Sequence, residues 1–152
     1  MQRLPKGVTG FDAPDQDVAA ETFTAACQAA ARQIGGRVHK VQSAYEQVTP
    51  NFHQALIAFR YGTEIVRVLC NAHYPIVAFA TPQPNERDTR LEFRDCPELA
   101  DVLRADYTIL SRAEACAGVS NEVVAQLGAA ETNQMRYWRP QRIGDVVFNY
   151  WD

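Results

Sequence analysis

The sequence predicts an α+β fold: an N-terminal helix, an antiparallel sheet of four or five strands, then C-terminal helices packed on the sheet. Three observations predict it. Apolar residues recur at spacings of three and four over residues 19–34, alternation with period two runs through 37–81, and helical spacing returns from residue 97. At 152 residues the chain has the length of one ordinary domain, and residues 1–152 are read as a single domain.

Residues 1–16 carry Pro5, Gly7, Gly10 and Pro14, with Leu4, Val8 and Phe11 between them. This reads as an ordered leader lying against the body, because three apolar side chains gain by burial. Asp15 or Asp17 is placed to cap the first helix, whose seam is Ala19, Phe23, Ala26, Ala30 and Ile34. Gly35 and Gly36 end it, since glycine tolerates the left-handed stop conformation. Val38, Val41 and Tyr45 mark a first extended run. In a second, Phe52, Leu56 and Ala58 alternate with His53, Ala55, Ile57 and Phe59, and Tyr61, Gly62 and Thr63 form a hairpin turn. The third run places Ile65, Arg67 and Leu69 on one face and Val66, Val68 and Cys70 on the other. Residues 76–80 are apolar throughout, as in a strand buried on both faces. A loop over 81–88 and a short strand over 91–93 complete the sheet.

Helical spacing then resumes. Residues 97–105 carry Leu99, Val102 and Leu103 on one stripe, and 107–110 are a strand or a bridge between helices. Ser120 opens a helix with Val123, Val124 and Leu127 that Gly128 stops. Residues 129–138 offer a weaker pattern of Ala130, Gln134 and Trp138. Pro140 suits the first turn of a last helix bearing Ile143, Val147 and Tyr150 or Trp151. The aromatics Tyr137, Trp138, Phe148, Tyr150 and Trp151 read as a seam sealing the core, with a projecting Trp151 anchor as the alternative.

Fifteen Lys and Arg face eighteen Asp and Glu, a net charge of −3. That balance argues against nucleic acid as the partner, since phosphate binding wants a basic surface, and it permits a basic protein. Residues 86–106 hold seven acids and four arginines. Glu86, Asp88, Glu92, Asp95, Glu98 and Asp101 are the candidate partner-binding residues, because complementary potential speeds association and rejects wrong partners. The competing reading is a solvated face balanced by its own arginines. The longest apolar stretch, 75–80, falls far short of the ~20 residues of a membrane span, and the N-terminus lacks a secretory apolar run, so a cytoplasmic location is expected. Cys27, Cys70, Cys96 and Cys116 form no C-x-x-C pair and are expected as free, mostly buried thiols.

Candidates for chemistry are few. The sequence has no G-x-S-x-G elbow, P-loop, G-x-G-x-x-G or H-E-x-x-H. Cys70 and His73 give one C-x-x-H, with His53 available from an adjacent strand, which is half of a metal site. The competing reading makes Cys70 a small core hydrophobe and His73 a turn residue. Glu46 and Glu64 are candidate paired carboxylates for acid–base work, or cross-strand partners of Arg60 or Arg67. No catalytic residue, cofactor or metal is assigned.

Three stretches stand out together: Leu4-Pro-Lys-Gly-Val-Thr-Gly-Phe11, Leu69-Cys-Asn-Ala-His-Tyr-Pro-Ile-Val-Ala-Phe79 and Tyr137-Trp-Arg-Pro-Gln-Arg-Ile-Gly-Asp-Val-Val-Phe-Asn-Tyr-Trp-Asp152. The combination resembles small bacterial immunity-type proteins of polymorphic-toxin and contact-dependent inhibition loci. The resemblance implies a catalytically inert cytosolic protein that binds a cognate toxin domain and occludes its active site or substrate surface. It carries no catalytic motif over. The same stretches are also read as fold-defining, through Gly7, Gly10, the turn at 71–75, Trp138 and Trp151. The alternative function is a small enzyme or ligand-binding domain. Its pocket would lie between sheet and helices, with Tyr45, His53, Glu64 and His73 as the polar groups.

Overall fold

A computed structural model describes residues 3–44, 50–83, 85 and 88–152. Helix α1 (Ala20–Gln33) leads into β1 (Arg37–Gln42), β2 (Phe52–Phe59), β3 (Glu64–Asn71), β4 (Ile76–Ala80) and β5 (Phe93–Arg94). After these come α2 (Pro97–Leu103), β6 (Thr108–Ile109), α3 (Arg112–Cys116), α4 (Ala129–Trp138) and α5 (Ile143–Val147). The fold is the expected α+β type. Its first five strands form an antiparallel meander in chain order. The sixth departs from it: β6 lies parallel to β4, Ile76 opposite Thr108 and Val77 opposite Ile109. The other end of that β4 edge is taken by β5, at Phe79 and Ala80.

Alternation along the central strand β3 sorts its side chains into two cores. Val66, Val68 and Cys70 join Phe23, Cys27, Ala30 and Ala31 of α1 and Leu99, Ala100 and Leu103 of α2. On the opposite face Leu69 joins Leu4, Val8, Val146, Val147 and Phe148. Helices therefore cover both faces, and the sheet is the middle of three layers. Phe23, Phe52, Phe79 and Phe148 are all fully buried, each contributing about 1.5–3 kcal/mol relative to exposure. Gly144 lets α5 approach this closely, because a Cβ there would run into the Phe93 ring.

Several local expectations shift by identifiable causes. Asp17 does not cap α1: the N-cap is Ala19, without a side-chain bond, and Asp17 instead binds the His73 ring at 2.8 Å. The buried stripe of α1 is rotated onto Phe23, Cys27, Ala30 and Ala31. Leu91 packs in the second core, and the short strand is displaced to Phe93–Arg94. Residues 121–126 are turns rather than a helix. Ser120 does cap them, its Oγ accepting from the Val123 N–H at 3.2 Å. The stretch is too short, and too β-branched at Val123 and Val124, to sustain a helix after nucleation. α3 went unread although Ser111 and Glu114 form a reciprocal capping box. Pro140 lies outside the last helix, because Arg139 has φ 51° and ends α4. Tyr150 and Trp151 follow the end of α5.

Two polar assemblies fasten the leader and the C-terminus to the sheet. Asn71 and Asn51 each donate to the carbonyls of both Val8 and Val147, at 2.8–3.1 Å. The Asn71 Oδ1 accepts from the N–H groups of His73 and Tyr74. Asn51 Oδ1 accepts from the Asn149 N–H, and Asn149 Nδ2 donates to Thr9 and Val146. Deeper still, the fully buried Glu131 carboxylate accepts from the N–H groups of Gly7, Thr9 and Gly128 and from the Thr9 hydroxyl. Gly7 presents that N–H from a left-handed φ of 91°. Asp12 Oδ2, from the leader, accepts from the Ala130 N–H at 2.9 Å. It serves as the N-terminal cap that Gly128, lacking a side chain, cannot supply.

Asn71→Asp preserves shape but sets oxygens against the carbonyls of Val8 and Val147. It should destabilise the fold by about 3 kcal/mol in urea unfolding, since buried polar groups lose their partners. A loss below about 1 kcal/mol would mean that Asn51 alone suffices to hold both carbonyls.

Candidate functional site

The polar groups expected to converge on one pocket are not brought together. His53 is fully buried in the first core, opposite Cys70 in the β2–β3 ladder and stacked on Phe23 with ring centroids 6.1 Å apart. Its Nδ1 accepts from the Ala44 N–H at 3.0 Å, which leaves Nε2 to donate to the Val18 carbonyl at 2.7 Å. Glu64 lies at the far end of the same ladder, opposite Phe59. Six residues of strand, about 20 Å, separate it from Cys70. There it binds Arg60 and Arg94, each at 3.3 Å. His73 sits in the β3–β4 turn on the Asp17 carboxylate. Tyr45 and Glu46 lie outside the described residues.

The same placements bear on metal and thiol chemistry. Among the described residues no group of three or more His, Cys, Asp and Glu is placed to hold a metal ion. All four cysteines are free, and Cys27, Cys70 and Cys96 are buried while Cys116 is exposed. Burial pushes the Cys27 thiol up to about 12 and raises Cys70 further. A thiol so disfavoured as thiolate is packing rather than nucleophile.

The candidate partner-binding acids follow one another from the loop before β5 to α2, with Asp88, Glu92, Asp95 and Asp101 exposed and Glu98 half-buried. Asp88 accepts from the Arg90 N–H, and Glu92 is exposed with no side-chain partner among the described residues. Asp95 accepts from the Arg112 N–H at the start of α3. Glu98 binds Arg60 at 2.6 Å, and Asp101 binds Arg104 at 3.1 Å. Glu86 lies outside the described residues. Helix α2 holds Glu98 and Asp101 firmly because Leu99, Ala100 and Leu103 on its other side are buried.

The C-terminal aromatics divide. Phe148 seals the second core edge-on to Phe52 at 5.7 Å. Tyr137 and Trp138 instead project outward, 77% and 39% exposed. Trp138 stacks parallel to a half-buried Trp151, with centroids 6.4 Å apart.

Sequence reasoning missed a polar cleft on the second face of the sheet, beyond the cover of α5. Its cavity of about 280 Å³ is lined by Lys40, Gln42, Gln54, Arg67, Gln83 and Tyr150 among others. Arg67, only 4% exposed, donates from Nε to Gln54 Oε1 at 2.6 Å and from Nη2 to the Tyr150 hydroxyl at 3.0 Å. The one signal in the sequence was an arginine alternating with Ile65 and Leu69.

Among the described residues no helix is long and apolar enough to cross a membrane.

Burial lowers the pKa of His53, against the weaker opposing pull of its bond to Val18. The unfolded chain takes up this proton near pH about 6.5, and the folded chain only at lower pH. Stability from this site is therefore full above that pH and is lost as pH falls through the folded value. Thermal melts at about pH 7.5 and about pH 5.5 should show a larger drop for the wild type than for His53→Gln. Equal drops would show that His53 does not couple folding to protons.

Comparison with protein-family models, with curated proteins and with solved structures found no match.

Proposed function

We propose that this chain is a binding protein of the immunity type, which neutralises a cognate, basic toxin domain by covering its active site or substrate surface. The observation that carries the reading is the exposure of Asp88, Glu92, Asp95 and Asp101, with Glu98 half-buried, along a segment held to the core through Leu91, Phe93, Leu99 and Ala100. Acids held at fixed positions lose little freedom on docking and steer a basic partner toward one orientation. Occlusion needs no chemistry from the inhibitor. This agrees with His53, Glu64 and Cys70 being committed to packing and structural bonds. The resemblance of the leader, the β3–β4 region and the C-terminus to immunity-type proteins supports the same reading, with a cytoplasmic encounter as part of the proposal.

Anchoring energy in such a complex comes from a few aromatic side chains that become buried, with charge governing rate and choice of partner. Tyr137 and Trp138 are the large exposed aromatics of α4, but they belong to a different element from the acidic strip. A toxin surface of standard size, about 800 Å² per partner, reaches one patch or the other first.

The test uses the product of the gene neighbouring this one, co-expressed with the chain. Asp95→Lys, Glu98→Lys and Asp101→Lys together should slow its association at least about tenfold at low salt, with the difference shrinking as salt rises. Melting curves control for folding, because the exposed pairs lost with Arg60 and Arg104 are worth only about 0.2–1 kcal/mol each. An unchanged association rate would remove this strip from the interface.

A further inference from the structure

We infer that the cleft around Arg67 is a binding site for a single carboxylate group. The inference is independent of which protein docks on the acidic strip. Among the described residues, Arg67 Nη1 is the one buried side-chain nitrogen or oxygen with no hydrogen-bond partner. Arginine is always protonated in proteins, and no described acid lies within ion-pair distance of this one. Taking an unpaired guanidinium out of water is among the most unfavourable arrangements a small protein can hold. The fold holds this one between the Phe52 ring, 5.9 Å from its central carbon, and two polar neighbours, neither of them anionic.

The hydrogen bonds around Arg67 run in one direction, and that direction selects an acceptor. Arg67 Nε donates to Gln54 Oε1, and Gln54 Nε2 donates to Gln42 Oε1. Gln42 is left with its amide N–H groups as the free end of the chain. Tyr150 accepts from Arg67 Nη2, so its own O–H is left to donate. No described acid lines the cleft. Donors converge on it, while both amide oxygens of the chain are already used. A planar carboxylate matches a guanidinium edge and a phenol O–H with its two oxygens. Phosphate recognition ordinarily adds a run of backbone N–H groups at a helix N-terminus, and the lining includes none of the helices.

The carboxylate has two possible sources, a free small acid or an Asp or Glu side chain of a protein partner. Side-chain NMR of Arg67 Nε–H and the Gln42 and Gln54 amides separates them. Titration with succinate, and separately with an acetylated glutamate-containing peptide, should move these signals at millimolar concentrations in at least one arm. The arm that binds more tightly identifies the source. Arg67→Gln should weaken that binding at least about tenfold, since charge-assisted bonds are lost. Arg67→Met should raise the melting temperature, because an apolar isostere removes an unpaired buried charge, whereas a merely structural arginine would give a fall. Three results overturn the inference. One is no movement with either carboxylate, and another is movement with inorganic phosphate alone. The third is an Arg67 signal altered by Glu46→Gln or Glu86→Gln without added acid, which would identify an internal partner.

Discussion

The clasp formed by Asn51, Asn71 and Asn149 is the constraint on which the second core depends. Leader and C-terminus both cross the open face of the sheet without joining its ladders, so their buried carbonyls need donors from elsewhere. Asparagine is short, and its amide carries two donors and one acceptor. Asn51 and Asn71 together satisfy Val8 and Val147, one carbonyl from each segment, and so fix them at one distance from the sheet. Only with that distance fixed can Leu4, Val8, Val147 and Phe148 fill the space over Leu69 without voids. The three stretches that stand out in the sequence, one at each end and one in the middle, meet at this clasp.

Arg67 is the counterpoint to that economy. The buried Glu131 carboxylate collects four donors, whereas the Arg67 guanidinium on the same side of the sheet has neither counter-ion nor a partner for Nη1 among the described residues. Packing does not force the difference. Leu69, two residues along the same face of β3, is an ordinary core residue, and an apolar side chain at 67 would extend that core toward β1. Among the described residues every other buried side-chain nitrogen and oxygen has a partner, so the unmatched Arg67 Nη1 is a departure of the kind that concentrates at functional sites.

The fold was largely legible because its signals are local. Alternation of Val66, Val68 and Cys70 against Arg67 and Leu69 assigned the faces of β3, and Gly35 with φ 74° ended α1 as read. What was hidden depends on contacts distant in sequence. Asp17 looked like a cap because it precedes a helix, but His73 is 56 residues away and binds it. Asp12 caps α4 across 118 residues. The pairing of β6 beside β4 follows from the path of α2, which no residue in Thr108–Ile109 records. The candidate site divides in the same way. That the acids lie on the surface, partly balanced by arginines of their own segment as Asp101 is by Arg104, was legible from the residues, but the pairing of Glu98 with Arg60 was not. The cleft at Arg67 draws lining residues from three strands, the 81–83 loop and the C-terminal tail, so no spacing could announce it.

The acidic strip and its arginines also set the terms on which a partner can dock. Arg60, from outside the acid-rich segment, pairs with Glu98 there, and Asp101 pairs with Arg104, so the field at the surface is weaker than the count of acids implies. A basic partner must displace these contacts or add itself to them, and displacement returns little net energy because an exposed pair is replaced by another pair. Addition is the better route: the second oxygen of Glu98 or Asp101 can take a new cation while the first keeps its arginine. An interface built that way owes its choice of partner to the fixed spacing of the acids and its strength to whatever apolar surface is buried beside them.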